Sequence, residues 1–177
     1  MIHKLCIVSM VCGATLLCGA DPTPGEKSLN RIKKEVRHEL VMLPYYGVFD
    51  NLTYEVSPDG AVTLLGQVAR PTLKDAAERA VKDVEGVTGV SNQIEVLPLS
   101  PNDDRLRIAI YRAIYGSSQL NRYALQAVPS IHIIVKNGQA TLEGVAANAT
   151  DRNVATILTK GVSGVFSVTN NLQLETN

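Results

Sequence analysis

Cysteine is scarce in this chain, and what there is lies in one place. Cys6, Cys12 and Cys18 are the only three in 177 residues. Tryptophan is missing, phenylalanine occurs twice, and aromatic residues make up only 5% of the chain. Net charge is absent as well, with 17 basic residues against 17 acidic ones. Each shortage closes a class of function. A chain without basic excess lacks the electrostatic footprint of a general nucleic-acid binder. With no cysteine beyond position 18, disulfides, thiolate catalysis and cysteine-ligated metals are excluded from the remainder.

Histidine is equally sparse. His38 and His132 stand about a domain apart, and neither has an H-x-x-x-H partner, which argues against a metal site. His38 reads as an exposed helix residue and His132 as filler on a sheet face. No G-x-S-x-G, Walker loop or dinucleotide fingerprint occurs, so no catalytic residues and no cofactor are expected. The adjacent Asp103 and Asp104 read as helix caps rather than an acid–base pair. Asn51-Leu-Thr53 and Asn148-Ala-Thr150 match the glycosylation pattern, and in a bacterial protein they would be chance matches.

The beginning of the chain has the form of a secretory signal over residues 1–20. A short cationic start is followed by an apolar run from Leu5 to Leu17, then small residues before Asp21. The run is too short to span a bilayer. A retained anchor is the alternative, as is lipidation at Cys18, although Leu17 stands where a small residue is wanted. Residues 21–27, with two prolines and a glycine, read as a tether. The product expected is an exported, periplasmic, soluble protein.

What the chain does have is a duplication. GAVTLLGQVA at 60–69 returns as GQATLEGVAA at 138–147, offset by 78 residues. The offset also pairs Ile32 with Ile110, Val36 with Ile114, Ala77 with Ala155, Gly86 with Gly164, and Asn92 with Asn170. Two copies are too few for a solenoid, so two small domains are expected, at 28–98 and 103–177, joined by a linker at 99–102.

Hydrophobic periodicity supplies the elements. Leu29, Ile32, Val36, Leu40 and Leu43 form one stripe of a helix that Ser28 would cap, with Pro44 beyond its end. Leu106, Ile110 and Ile114 do the same in the second unit, capped by Asp103 or Asp104. Residues 52–56 and 61–68 flank Pro58-Asp59-Gly60 as a hairpin, and 131–135 and 139–146 flank Asn137-Gly138. A second helix follows in each unit, near 72–84 and 151–160, then a last strand at 90–97 and 168–174. The expected class is α+β: two tandem α-β-β-α-β domains, each a three-stranded sheet with two helices on one face.

The succession of helix, strand, G-x-x-T-L-x-G, strand, helix and V-x-G-V-x-x-V-x-N resembles the BON domain. Gly60–Gly66 and Val84–Asn92 carry the pattern once, and Gly138–Gly144 and Val162–Asn170 carry it again. The resemblance implies phospholipid or envelope-surface binding linked to stress tolerance and envelope integrity, with no catalytic residues. The alternative is a periplasmic protein–protein adaptor or chaperone-like interaction module.

What differs between the copies points to the surfaces. Residues 28–98 hold 8 basic and 10 acidic side chains, and 103–177 hold 7 and 5. Arg105, Arg107, Arg112 and Arg122 cluster around the first helix of the second unit, with Tyr111, Tyr115 and Tyr123 among them. These seven are the candidates for contact with an anionic phospholipid surface. Tyr45, Tyr46 and Phe49, in an unusually apolar connection, are candidates for contact with a partner protein or with the other unit.

Overall fold

The computed structural model of the protein describes residues 24–126 and 128–175. The signal segment and the first three residues of the tether lie outside them. The first helix, α1 (Pro24–Val41), begins four residues before Ser28, so residues 24–27 are helix rather than tether. Proline suits that start, since its φ is preset and its missing N–H would have had no helical partner. Ile32, Val36 and Leu40 form its buried stripe.

A hairpin follows, β1 (Asn51–Val56) against β2 (Ala61–Val68), antiparallel. The chain then crosses over through α2 (Pro71–Lys82), again started by proline, and returns parallel to β2. This last strand is broken in two, β3 (Gly89–Asn92) and β4 (Glu95–Val96), and both parts pair with β2. The expectation of a continuous strand is corrected at Gln93 and Ile94, where the chain leaves the ladder to bury Ile94. The stripe of α1, the inner face of β2, and Leu73, Ala77 and Val81 of α2 form one core. Both helices therefore lie on one face of the sheet.

The second unit repeats the plan with α3 (Pro101–Tyr115), β5 (Ile131–Lys136), β6 (Gln139–Ala146), α4 (Ala149–Lys160), β7 (Ser167–Asn170) and β8 (Gln173–Leu174). It adds a 3-10 turn, Asn121–Leu125. The cap of α3 is Ser100, whose Oγ accepts from the Asp103 amide at 3.2 Å, so two residues assigned to the linker are helical. Asp103 is not the cap. Its buried carboxylate accepts from the amides of Asn137 and Gly138 at 2.9 and 2.8 Å, holding the β5–β6 turn to the helix start. Asn148 caps α4 through the Asp151 amide at 2.8 Å.

The 78-residue repeat is physical at the residue level. Leu64 and Leu142, Ala77 and Ala155, and Ile94 and Leu172 are buried at equivalent places. Asn92 and Asn170 make equivalent bonds. Each donates from Nδ2 to a carbonyl of the second helix, that of Lys74 or Arg152, at 3.0 and 3.1 Å. Each also accepts from the amide two residues on, at 3.2 and 2.9 Å. This clamp spans the break in the last strand, and it explains why asparagine recurs in the motif.

Gly66 and Gly144 recur because the backbone leaves no choice. Both have φ above +100°, and a Cβ there would overlap the carbonyl oxygen of Asn51 or Ser130. Gly144→Ala is expected to destabilise the second unit by more than about 2 kcal/mol, combining backbone strain with a steric clash. Urea denaturation measures this, and a change below about 0.5 kcal/mol would contradict the assigned geometry.

Candidate functional site

The register of each hairpin decides which backbone groups point away from the sheet. In an antiparallel pair, residues that bond across the ladder alternate with residues whose backbone faces outward. In the second unit the Val145 amide donates to the Ser130 carbonyl at 2.9 Å, so Ile131, Ile133 and Val135 face the outer edge of β5. All three are engaged. Tyr115 Oη donates to the Ile131 carbonyl at 2.5 Å. The Ile133 amide donates to the Val48 carbonyl at 2.7 Å. Arg107 Nη2 donates to the Val135 carbonyl at 2.7 Å.

Two of the residues expected at a lipid surface are therefore committed to the interior. Arg107 is 5% exposed and paired with Asp104. Tyr115 is 6% exposed, and burial pushes its hydroxyl well above the ordinary tyrosine pKa. Tyr123 is also buried. Its hydroxyl donates to Asp151 Oδ2 at 2.5 Å and accepts from the Ala147 amide at 2.9 Å. Arg122 is ion-paired with Asp151, and its guanidinium lies over the Tyr123 ring at 5.1 Å. Tyr111 is half-buried between the rings of Phe49 and Tyr115. For Arg107, Tyr115 and Tyr123 the expectation of surface contact is corrected: Arg107 and Tyr115 of α3 bond carbonyls on the edge of β5, and Tyr123, in the 3-10 turn, is held by Asp151 and the Ala147 amide.

Arg105 and Arg112 remain on the outside. With Ile108, 41% exposed, and Ala109 they share one face of α3, at spacings of three, four and seven residues. Sequence periodicity did not single out Ile108, because α3 carries more apolar residues than its buried stripe requires. Its position between two outward arginines was the available signal.

The apolar connection after α1 runs between the units. Leu43 and Tyr46 pack against the first core, and Val48 and Phe49 against the second. Tyr46 stacks on His132 with ring centroids 5.6 Å apart, and Phe49 meets Tyr111 edge-on at 6.1 Å. His132 Nδ1 lies 3.3 Å from the Gly47 carbonyl. Tyr45 points elsewhere, 77% exposed, with the Arg70 guanidinium 5.3 Å from its ring. Charge plays a small part: Lys136 and Glu95 pair at 2.5 Å, but both are near half exposed, where an ion pair contributes about 1 kcal/mol or less.

His132 is more than sheet filler, since it is 8% exposed within this contact. Burial lowers its pKa below the ordinary value, with the Gly47 and Asp50 carbonyls and the Asp50 and Glu143 carboxylates acting the other way. Asp50 is buried too, which raises its pKa, while its carboxylate accepts from Ala69 and Gly47 amides. Among the described residues no group of three or more His, Cys, Asp or Glu could hold a metal ion. No helix among them is long and apolar enough to cross a membrane.

The family model of the BON domain matches residues 28–98 and 117–176. No curated protein matches the chain. Among solved structures, the C-terminal domain of CdsD, the structural protein of the type III secretion system of Chlamydia trachomatis, is 13% identical. The match covers 81% of this chain and 96% of that one, with a TM-score of 0.33. A second CdsD structure gives 13% identity, 81% and 92% coverage and the same TM-score.

Because the folded pKa of His132 is lower than the unfolded one, the unfolded chain binds more protons in the window below about pH 6.5. Stability is therefore full above that window, and is lost as pH falls through it to the folded value. Thermal unfolding from pH 7.5 to 5 is expected to show this slope, and His132→Asn to flatten it. An unchanged slope in the variant would remove His132 as its source.

Proposed function

Because this chain belongs to the BON-domain family, we propose that it is a non-catalytic envelope protein that contacts anionic phospholipid through the outer face of α3. The observation that carries this reading is the grouping of Arg105, Ile108 and Arg112 on one exposed helix face. Two cations flanking an aliphatic side chain suit the headgroup region, where the charges meet phosphate and the apolar group enters the acyl boundary. BON domains in general are non-enzymatic and associated with envelope and phospholipid. Export to the periplasm, with support of envelope integrity and stress tolerance, is part of the same proposal.

Magnitudes limit what one such face does. Two arginines contribute about 1 kcal/mol each near an anionic surface. A buried isoleucine adds about 2 kcal/mol. The sum of about 4 kcal/mol corresponds to roughly millimolar binding, so residence on a membrane needs several copies or a tether.

Co-sedimentation with vesicles of phosphatidylglycerol and phosphatidylcholine tests the proposal. Arg105→Ala with Arg112→Ala is expected to weaken binding by about 2 kcal/mol, roughly thirtyfold, and Ile108→Ser by about tenfold. Binding that ignores the phosphatidylglycerol content, or that survives both changes, would reject it.

A further inference from the structure

The helices of the two units carry the same cations among different neighbours. Arg105 and Arg112 of α3, and Arg152 and Lys160 of α4, each have a lysine 78 residues earlier. The acidic residues between those lysines are not carried over. Glu35, Glu39, Asp75 and Glu78 of the first unit all have neutral counterparts in the second. Two polar positions become aliphatic instead: Asn30 corresponds to Ile108, and Arg79 to Ile157.

Ile157 occupies on α4 the place that Ile108 occupies on α3. Asp151, Ala155 and Thr159 form the buried stripe of α4, and Asn153, Ile157 and Lys160 lie on its opposite, exposed side. Ile157 is 67% exposed, more than Ile108. The acids that these two helices do have are engaged. Asp103 is bonded to the β5–β6 turn, Asp104 pairs with Arg107, and Asp151 pairs with Arg122. Among the described residues Arg105, Arg112, Arg152 and Lys160 form no ion pair. Each isoleucine therefore has an unopposed cation on either side of it along its helix.

The two outward sides belong to one surface. α3 and α4 touch each other, and both bury their inner stripes in the same core on one face of the sheet. Their outer sides are thus the far side of a single helical layer. The other face of the sheet is occupied. His132 and Ile134 alternate with the core residues of β5, so they lie on that face, 8% and 5% exposed. Tyr46 stacks on His132, and Ile134 shares a gap with Gln67 and Leu97 of the first unit. The first unit lies behind the sheet, and the α3–α4 surface looks away from it.

We propose that the whole outer surface of the α3–α4 layer lies against an anionic bilayer, with Ile157 as a second point of apolar insertion beside Ile108 and the first unit held on the aqueous side. This rests on the lipid reading of α3 and extends it to a second helix and to an orientation. Cations without acidic neighbours complement anionic headgroups, and the two isoleucines reach the acyl boundary. A nucleic-acid backbone would take the same charges but leave both isoleucines in water. Insertion of Ile157 makes binding about tenfold tighter than α3 alone supplies. The first unit keeps the cations but lacks the aliphatic pair and adds acids, so it has no equivalent surface.

The chain has no tryptophan, so a single substitution supplies a fluorophore that reports its own depth. Ile108→Trp, Ile157→Trp and, at the matching place in the first unit, Arg79→Trp are mixed with phosphatidylglycerol–phosphatidylcholine vesicles carrying brominated acyl chains. The first two are expected to shift to the blue and be quenched, and Arg79→Trp to do neither. In co-sedimentation with the same lipids unbrominated, Ile157→Ser is expected to weaken binding by about tenfold, as Ile108→Ser does. Quenching at position 108 without quenching at 157, or an Ile157→Ser chain that binds like the parent, would overturn this inference and leave the α3 reading standing. Quenching of Arg79→Trp as deep as that of Ile157→Trp would overturn the orientation. Binding that ignores phosphatidylglycerol would remove both readings.

Discussion

A sheet edge carries main-chain amides and carbonyls that need partners, and the outer edge of β5 organises much of this molecule. Its Ile131 carbonyl, Ile133 amide and Val135 carbonyl are bonded by Tyr115, by Val48 and by Arg107. Leaving a buried main-chain group unpaired costs about 1–3 kcal/mol, so the three bonds together outweigh any single surface contact of the same residues. They fix the roll of α3 on its sheet. They also draw the connection after α1 across to the second unit, which sets Tyr46 on His132 and Phe49 on Tyr111.

The face proposed for lipid contact follows from that roll. Once Arg107 and Tyr115 turn inward, Arg105, Ile108 and Arg112 must turn outward, because side chains three, four and seven residues apart share a helix face. The α3 surface is thus a by-product of edge protection. In the first unit the helix lacks those guards, and the corresponding edge opens onto the cleft between the units. One duplicated fold therefore presents different surfaces on its two copies, with the cationic helix face on the second alone.

Much of the fold was legible because it rests on local rules. Asn137 and Gly138, both at positive φ, close β5 onto β6 as an Asn-Gly turn. Gly86 and Gly164 adopt φ of +93° where only glycine avoids a steric cost. The misreadings were local too, at places where two rules competed. Pro24 started α1 ahead of Ser28, and Ser100 capped α3 ahead of Asp103, which was drawn off by the amides of a turn 34 residues away. The interruption at residues 93–94 was hidden because Ile94 continues the apolar pattern while leaving the ladder.

The sequence by itself determined the duplication, the α-β-β-α-β order, the glycine and asparagine frame, and the poverty of reactive side chains. All of these depend on residue type and on spacing along the chain. Only the tertiary structure decided which arginines and tyrosines are available. Arg105 and Arg107 are chemically alike and two residues apart, yet one meets solvent and the other a strand carbonyl. That choice is made by the position of β5, a segment distant in sequence. Long-range packing sets the direction of a side chain, and no local pattern encodes it.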